Sequence, residues 1–368
     1  MQMEKKRFPI FTPHMKNLRL LLFPFSLLYG LVVIMRNWLY DAGIFKSYSF
    51  TLPVISVGNL DVGGAGKSPM TEYLIRLLKD QHKIATLSRG YGRETKGYLL
   101  AGKTSTATQI GDEPAQFHQK FNDVTVAVCE DRVHGIKQLA PGHDLVILDD
   151  AYQHRAVKPG FSVLLFDYNR LHEPRLLLPA GNLREPFVGR WRAEVIVISK
   201  CPADITKEEE GRVAEKIKPF PHQQLFFTSI TYQQMQDIEG DPQHTVIDAD
   251  ATVFLLTGIA NTVPLVQYLK KHTGNIVHHK YPDHHRFSLK NISKLAEEFS
   301  ACTAQKKLLI TTEKDAQRLG EQELAAQVNQ LPFLVLPIGI EFLNNGQQYF
   351  DELILNYVRE HRKNSSIH

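Results

Sequence analysis

Residues Gly63-Gly64-Ala65-Gly66-Lys67-Ser68 put three glycines, a lysine and a hydroxyl side by side. This composition suits a phosphate chain: glycine amides approach the anion, lysine reaches the terminal phosphates, and the serine hydroxyl can ligate magnesium. The strict phosphate-loop pattern asks for glycine five positions before Gly66, but Asp61 stands there. Its carboxylate must therefore point away from any bound phosphate. Downstream, "LVILDD" ends on Asp149 and Asp150, as does the strand that holds magnesium, usually through water, in such enzymes. Each stretch alone has a plainer reading, as a glycine-rich turn or as a strand ending in acids. Together they specify a nucleotide site. "SKCP" (199–202) lacks the Asn and spaced Asp that read guanine, which leaves ATP as the donor, with Mg²⁺.

Transfer to an alcohol also needs cations near the moving phosphoryl and a carboxylate to take the hydroxyl proton. "SRGYGR" (88–93), "GDEP" (111–114) and "CEDRVHG" (129–135) fall where loops follow strands. Asp112 or Glu113 can furnish the carboxylate; Arg89, Arg93 and Arg132 can furnish the cations. The competing readings are a helix start with Asp capping and Pro in the first turn, and solvated loop arginines. In "YPDHHRFS" (281–288), His284 and His285 follow Asp283. That stretch can chelate a metal, orient or relay a proton, or serve structure alone, although adjacent side chains rarely share one ion well.

Positioning these groups requires regular elements. "PVISVG" (53–58), "KIATLS" (83–88), "VTVAVC" (124–129), "LVILDD" (145–150), "SVLLFD" (162–167) and "EVIVIS" (194–199) are short apolar runs between amphipathic stretches. They predict a mostly parallel sheet covered on both faces. The glycine-rich loop lies between such a strand and "KSPMTEYLIRLLKD", a helix that tolerates Pro69 in its first turn. A second set, "TVFLLTG" (252–258), "NIVHHKY" (275–281), "KLLITT" (307–312) and "FLVLPI" (333–338), predicts a smaller α/β domain. The expected division is 1–45, an amino-terminal helix; 46–234, a P-loop NTPase-like α/β domain; and 235–368, a carboxy-terminal α/β domain. The tail "KNSSIH" is expected to fray.

The 16 residues Leu20–Met35 carry no charge and follow Lys5, Lys6, Arg7, Lys16 and Arg19. The run falls short of the roughly 20 residues of a bilayer span, and no small-x-small cleavage site follows it. A buried core helix is one alternative. A helix in the membrane interface fits better, with basic residues on anionic headgroups and Phe23, Phe25, Leu27, Leu28, Leu31, Ile34, Trp38 and Tyr40 in apolar contact.

A length of 368 residues favours two domains. The net charge of +4 is too mild to argue for nucleic acid. Cys129, Cys201 and Cys302 form no CxxC pair, so neither a zinc knuckle nor a disulfide framework is indicated, and a reducing compartment fits.

In order along the chain, "GNLDVGGAGKSP", "SRGYGR", "GDEP", "EDR", "DDAYQH", "LPAGNLREP", "LTGIANTVP", "DHHRF" and "TTEKDAQRL" resemble the tetraacyldisaccharide 4'-kinase family over about residues 15–340. The resemblance implies transfer of the ATP γ-phosphate to the 4'-hydroxyl of a tetraacylated glucosamine disaccharide 1-phosphate, giving lipid IVA at the cytoplasmic face of a bacterial inner membrane. It implies docking of the amino-terminal helix on that membrane surface, with neither nucleic acid nor an obligate protein partner. Lys67 and Ser68 match the family's phosphate and magnesium residues, Asp112 its proposed base, and His284 the histidine thought to assist it. Asp149 and Asp150 match the metal-binding acids. Gln153, His154, Glu113, Arg132 and Glu185 match residues around metal, phosphates or substrate, with Arg89 a further phosphate contact. Departures are Ala151 and Tyr152 for the frequent Gly and Phe, Asn182 for a common Pro, and Ser68 for Thr, which retains the hydroxyl.

Overall fold

The computed structural model describes residues 19–365. Lys5, Lys6, Arg7 and Lys16, assigned above to headgroups, lie outside the described residues, as does the end of the tail at 366–368. The strands are β1 (Val54–Asn59), β2 (Ile84–Ser88), β3 (Leu99–Leu100), β4 (Thr125–Val128), β5 (Leu145–Asp149), β6 (Phe161–Asp167), β7 (Val195–Ser199), β8 (Gln224–Tyr232), β9 (Thr252–Thr257), β10 (Ile276–Lys280), β11 (Lys307–Thr312), β12 (Phe333–Leu336) and β13 (Ile338–Phe342). The helices that matter for the site are α1 (Phe23–Asp41), α2 (Lys67–Leu78), α3 (Asp112–Lys120), α4 (Glu313–Leu319) and α5 (Gly346–Ser365).

Nine strands form one sheet in the order β13-β8-β7-β6-β1-β5-β2-β4-β3, and four form a second in the order β10-β9-β11-β12. All pairings are parallel except β13 with β8 and β3 with β4. The continuous apolar runs are buried along their whole length, as in Ile55, Val57, Ile147, Val163 and Val197. Burial on both faces demands such runs. β5 inserts between β1 and β2, so the connections leaving β1 and β5 diverge and open a crevice at their carboxyl ends.

The two sheets do not divide the chain at one point. β13 returns to pair with β8, and Phe350, Ile354 and Val358 of α5 pack into the core of the larger sheet with Ile55, Leu74 and Phe226. Residues 235–368, read above as one domain, are thus shared between both sheets. Sequence reading missed β8 and β13, whose runs "QLFFTSITY" and "IGIEF" carry polar residues, and it did not register α5.

With the preceding turn, α1 runs from Leu20 to Asp41, 22 residues, long and apolar enough by length and composition to cross a membrane. The helix exceeds the uncharged run because Arg36–Asp41 continue it, so the length argument against a span does not hold. Its contacts weigh instead. Ser26 Oγ accepts from Ala180 N at 2.9 Å, Tyr29 Oη donates to Arg184 O at 2.7 Å, and Arg36 Nη2 donates to Gln153 O at 2.9 Å. Arg155 closes the far end on Asp41. One face is docked along the helix, while Phe25, Leu27, Leu28, Leu31, Ile34 and Trp38 are exposed.

Candidate active site

The loop after β1 needs its glycines where the backbone turns: Gly63 has φ +109° and Gly66 φ +82°, in the left-handed region that side chains disfavour. Gly66 precedes the first turn of α2, whose leading amides lack intrahelical acceptors and face an anion favourably. Three side chains brace the loop through its carbonyls. Arg170 Nη1 donates to Val62 O at 2.6 Å, Ser199 Oγ to Ala65 O at 2.8 Å, and Lys200 Nζ to Gly64 O. Asp61 lines a cavity with Arg170, Glu173, Arg175 and Asn182, a cavity that neither Lys67 nor Ser68 lines. Burial raises its pKa against the pull of Arg170.

Parallel pairing sets Val57 of β1 opposite Asp149 of β5, which brings the acids beside the loop. Thr71 Oγ1 donates to Asp149 Oδ1 at 3.0 Å. Burial, then repulsion from Asp150 and Glu113, pushes the Asp149 carboxyl up to about 7. Asp150 occupies a left-handed φ of 48° and meets Arg184 Nη1 at 2.9 Å and Lys67 Nζ at 3.7 Å. Burial opposes its ionisation, but Lys67 and Arg184 prevail and hold it below the usual carboxylate range. Lys67 also donates to Asn59 Oδ1 at 3.2 Å, and burial lowers its pKa while Asp150 resists. Ser68 is buried on the same turn. Two carboxylates, a hydroxyl and an ammonium thus share one pocket.

Around this pocket, Gln153 Nε2 donates to Asn59 O at 2.8 Å and to Glu185 Oε1 at 3.1 Å. Glu185 Oε2 accepts from Arg192 Nη2 at 2.5 Å and Asn37 Nδ2 at 3.4 Å. Both its oxygens are engaged, so ligating a metal, as expected above, requires breaking those bonds. Arg132 is buried, and neither its Nε nor His154 Nε2 has a partner among the described residues. Burial, with help from Arg132, depresses His154 to about 4, so the imidazole is neutral at pH 7. Arg89 stands exposed on the loop after β2. Arg93 is used locally, donating to Glu130 Oε1 and Gly97 O at 2.7 Å each. At the departures from the family pattern, Tyr152 Oη donates to Gly189 O at 2.8 Å, and Asn182 Nδ2 donates to Glu173 at 2.9 Å.

The second sheet closes the site. Asp112 opens α3 as its first residue, with Gly111 at the capping position, so its carboxylate is not the cap expected of a plain helix start. Asp112 Oδ2 instead meets His284 Nδ1 at 2.8 Å, Arg318 Nη2 at 2.6 Å and Arg318 Nε at 3.2 Å. All these contacts fall on Oδ2, and no hydrogen bond to Oδ1 occurs among the described residues, which leaves it for a substrate hydroxyl. Burial works to raise the Asp112 pKa, but the bonds from His284 and Arg318 outweigh it and hold the carboxyl well below its usual range. Arg318 is fixed in turn by Asp315 Oδ1 and Gly258 O, both at 2.9 Å. Lys314 Nζ lies 2.7 Å from Glu113 Oε1, and its charge overcomes the burial that opposes ionisation of Glu113. His285 diverges from His284, stacking on Tyr281 at 4.5 Å and meeting Asn291 Oδ1 at 3.2 Å. The two histidines therefore do not converge on one ion, and no cluster of three or more His, Cys, Asp or Glu fit for a metal occurs among the described residues.

Sequence reasoning missed Arg318, Lys314, Arg184, Thr71 and Asn59. A signal existed for two of them: "TTEKDAQRL" sets Lys314 and Arg318 four apart, on one face of a helix.

A family model described as tetraacyldisaccharide-1-P 4'-kinase matches residues 18–359. The chain is 45% identical over 359 residues to the tetraacyldisaccharide 4'-kinase of Bacteroides thetaiotaomicron, covering 94% of each. To that of Flavobacterium johnsoniae it is 44% identical over 353 residues, covering 94% of this chain and 99% of the relative. Among solved structures, the "apo" form of LpxK from Aquifex aeolicus in complex with ATP is similar, with a TM-score of 0.72 and 28% identity, covering 93% of this chain and 99% of that one.

Proposed function

This chain belongs to the tetraacyldisaccharide-1-P 4'-kinase family, and we propose that it moves the γ-phosphoryl group of ATP onto the 4'-hydroxyl of a tetraacylated glucosamine disaccharide 1-phosphate, forming lipid IVA. ATP lies along the loop Gly63–Ser68, where Lys67 offsets charge on the terminal phosphates. Ser68, Asp149 and Asp150 are the residues to hold Mg²⁺, since a divalent cation would offset the burial and the repulsion from Asp150 and Glu113 that together lift Asp149 to about 7. When bound, the ion would supply charge neutralisation at the phosphates.

The observation that carries the acceptor side is Asp112, with Oδ2 tied by His284 and Arg318 and Oδ1 open. Its ionised oxygen accepts the 4'-hydroxyl proton as the new O–P bond forms. Arg318 weakens it as a base, which a loose transition state tolerates because little proton transfer is needed before bond formation. Arg132, Arg89 and neutral His154 face the phosphates or sugar, and Glu185 acts by orienting Gln153. Because Asp112 and His284 come from elements attached to different sheets, the reaction takes place in the cleft between the two, the larger built on 46–234 together with the returning β13 and α5, and the smaller on β9 to β12.

The exposed face of α1 lies on the cytoplasmic surface of the inner membrane, where its apolar side chains meet the acyl boundary and its docked face keeps the site within reach of the lipid.

The test is transfer of labelled γ-phosphate to tetraacyl disaccharide 1-phosphate in detergent micelles with Mg²⁺, run beside Asp112→Asn. Label in the lipid that is lost in the variant supports the reading. ATP turnover without lipid labelling would replace the kinase with a regulatory ATPase.

A further inference from the structure

A second apolar feature stands beside α1. The helical turn Phe187–Arg192 joins the segment that carries Glu185 to β7 and leaves Val188 60% and Trp191 47% exposed. The chain has only two tryptophans; the other, Trp38 on α1, is 59% exposed. Tryptophan pairs a large apolar ring with a polar N–H and is enriched where a membrane meets water.

The two features adjoin through one carboxylate. Glu185 Oε2 accepts from Asn37 Nδ2 on α1 and from Arg192 Nη2 on the turn. At Gly189 an added Cβ would come 2.8 Å from the same oxygen, so the turn and the helix close on Glu185 without a side chain between them.

The rim of the turn is basic. The Arg175 guanidinium lies 3.5 Å from the Phe187 ring centroid, and Arg190 lies 4.5 Å from Phe187 and 4.7 Å from Phe220. They also donate to the carbonyls of Lys216 and Lys218, whose own side chains are exposed. Cation–π contacts hold these guanidinium groups on Phe187 and Phe220, at the turn that carries Val188 and Trp191. Exposed apolar residues on a turn with basic neighbours match an anionic bilayer surface.

We propose that Val188 and Trp191 form a second membrane anchor, continuous with α1, that inserts at the headgroup level of an anionic bilayer. This rests on α1 being the membrane-docked element. A single interfacial helix touches the bilayer along one line, about which the attached protein can rock; a contact off that line limits the rocking and fixes how the cleft faces the lipid.

The two tryptophans supply the probe. Full-length protein is mixed with phosphatidylglycerol/phosphatidylethanolamine vesicles carrying dibrominated acyl chains, whose bromines quench nearby indoles. Trp38→Phe leaves Trp191 as reporter, and Trp191→Phe leaves Trp38. Quenching and a blue shift in both variants are expected. Quenching of Trp38 with none of Trp191 overturns the second anchor while leaving α1 docked; quenching of neither overturns both. Independently, Val188→Asp combined with Trp191→Ser is expected to lower vesicle partitioning about tenfold, or ~1.4 kcal/mol, with phosphorylation in detergent micelles unchanged as the check on folding. Unaltered partitioning overturns the inference.

Discussion

Lys120 closes α3 and lies between two carboxylates from different sheets. Its Nζ is 2.6 Å from Glu72 Oε2 on α2 and also bonds Glu313 on α4, whose other oxygen accepts from Ile338 N at the start of β13. Glu72 is 1% exposed and keeps Gln116 at 2.7 Å and Arg76 at 3.3 Å. Lys120→Met retains the aliphatic stem and deletes the charge, leaving the carboxylates to face each other. Breaking a buried pair costs about 3–5 kcal/mol. The partners remaining on Glu72 place this case near ~3 kcal/mol, a fall in Tm of about 6–12 °C at 2–4 °C per kcal/mol.

The loss depends on pH in a definite sense. Burial, then Glu313, raises the folded pKa of Glu72 above its ordinary value of 4.5. A carboxyl raised on folding binds its proton more tightly when folded, so its contribution to stability declines as pH rises from the unfolded pKa towards the folded one. Removing Lys120 raises the folded pKa further and extends the decline to higher pH. Urea unfolding should therefore show the largest loss at pH 8 and a smaller one near pH 5, with Glu72→Gln restoring much of it. A loss below about 1 kcal/mol at pH 8, or one equal at both pH values, would refute the argument. Because α3 carries Asp112 at its other end, phosphoryl transfer should fall more than ATP binding.

Lys67→Ala should lower phosphoryl transfer by at least about 10²-fold through lost charge stabilisation, as read from single-turnover rates at saturating ATP. Arg318→Met removes a cation that lowers a neighbouring carboxyl by about 1–3 pKa units; an acid limb should then enter the pH–rate profile at higher pH than in the parent, and an unmoved limb would mean that Arg318 does not tune Asp112. Asp149 must be ionised to hold a cation and titrates at about 7, so Mg²⁺ affinity should weaken by up to about tenfold per pH unit below that value. Asp149→Asn should bind weakly at every pH and lose the slope, which Mg²⁺ titrations at pH 6 and 8 would check.

The phosphate loop was legible because its chemistry is contiguous: glycines that permit φ of +109° and +82°, then lysine and serine, lie within six residues. Most strands were legible too, since burial on both faces imposes unbroken apolar runs such as "LVILD". The acid end of β5 is different, because parallel register alone sets Asp149 beside the loop. The acceptor side was further from reach. Asp112, His284 and Arg318 meet across 172 and 206 positions of chain, and no local pattern encodes that Oδ2 is occupied while Oδ1 stays open. The family resemblance named the first two residues, whereas Arg318 became visible only once α4 lay against α3. The return of β13 and α5 to the larger sheet was equally hidden, because "IGIEF" is short and mixed while its partner Thr228–Tyr232 lies more than a hundred positions away. Composition and local spacing determine which segments become strands, loops and apolar helices. Which side chains share a charge, a proton or a lipid surface is decided by contacts between distant segments, where burial strengthens each interaction and makes each missing partner costly.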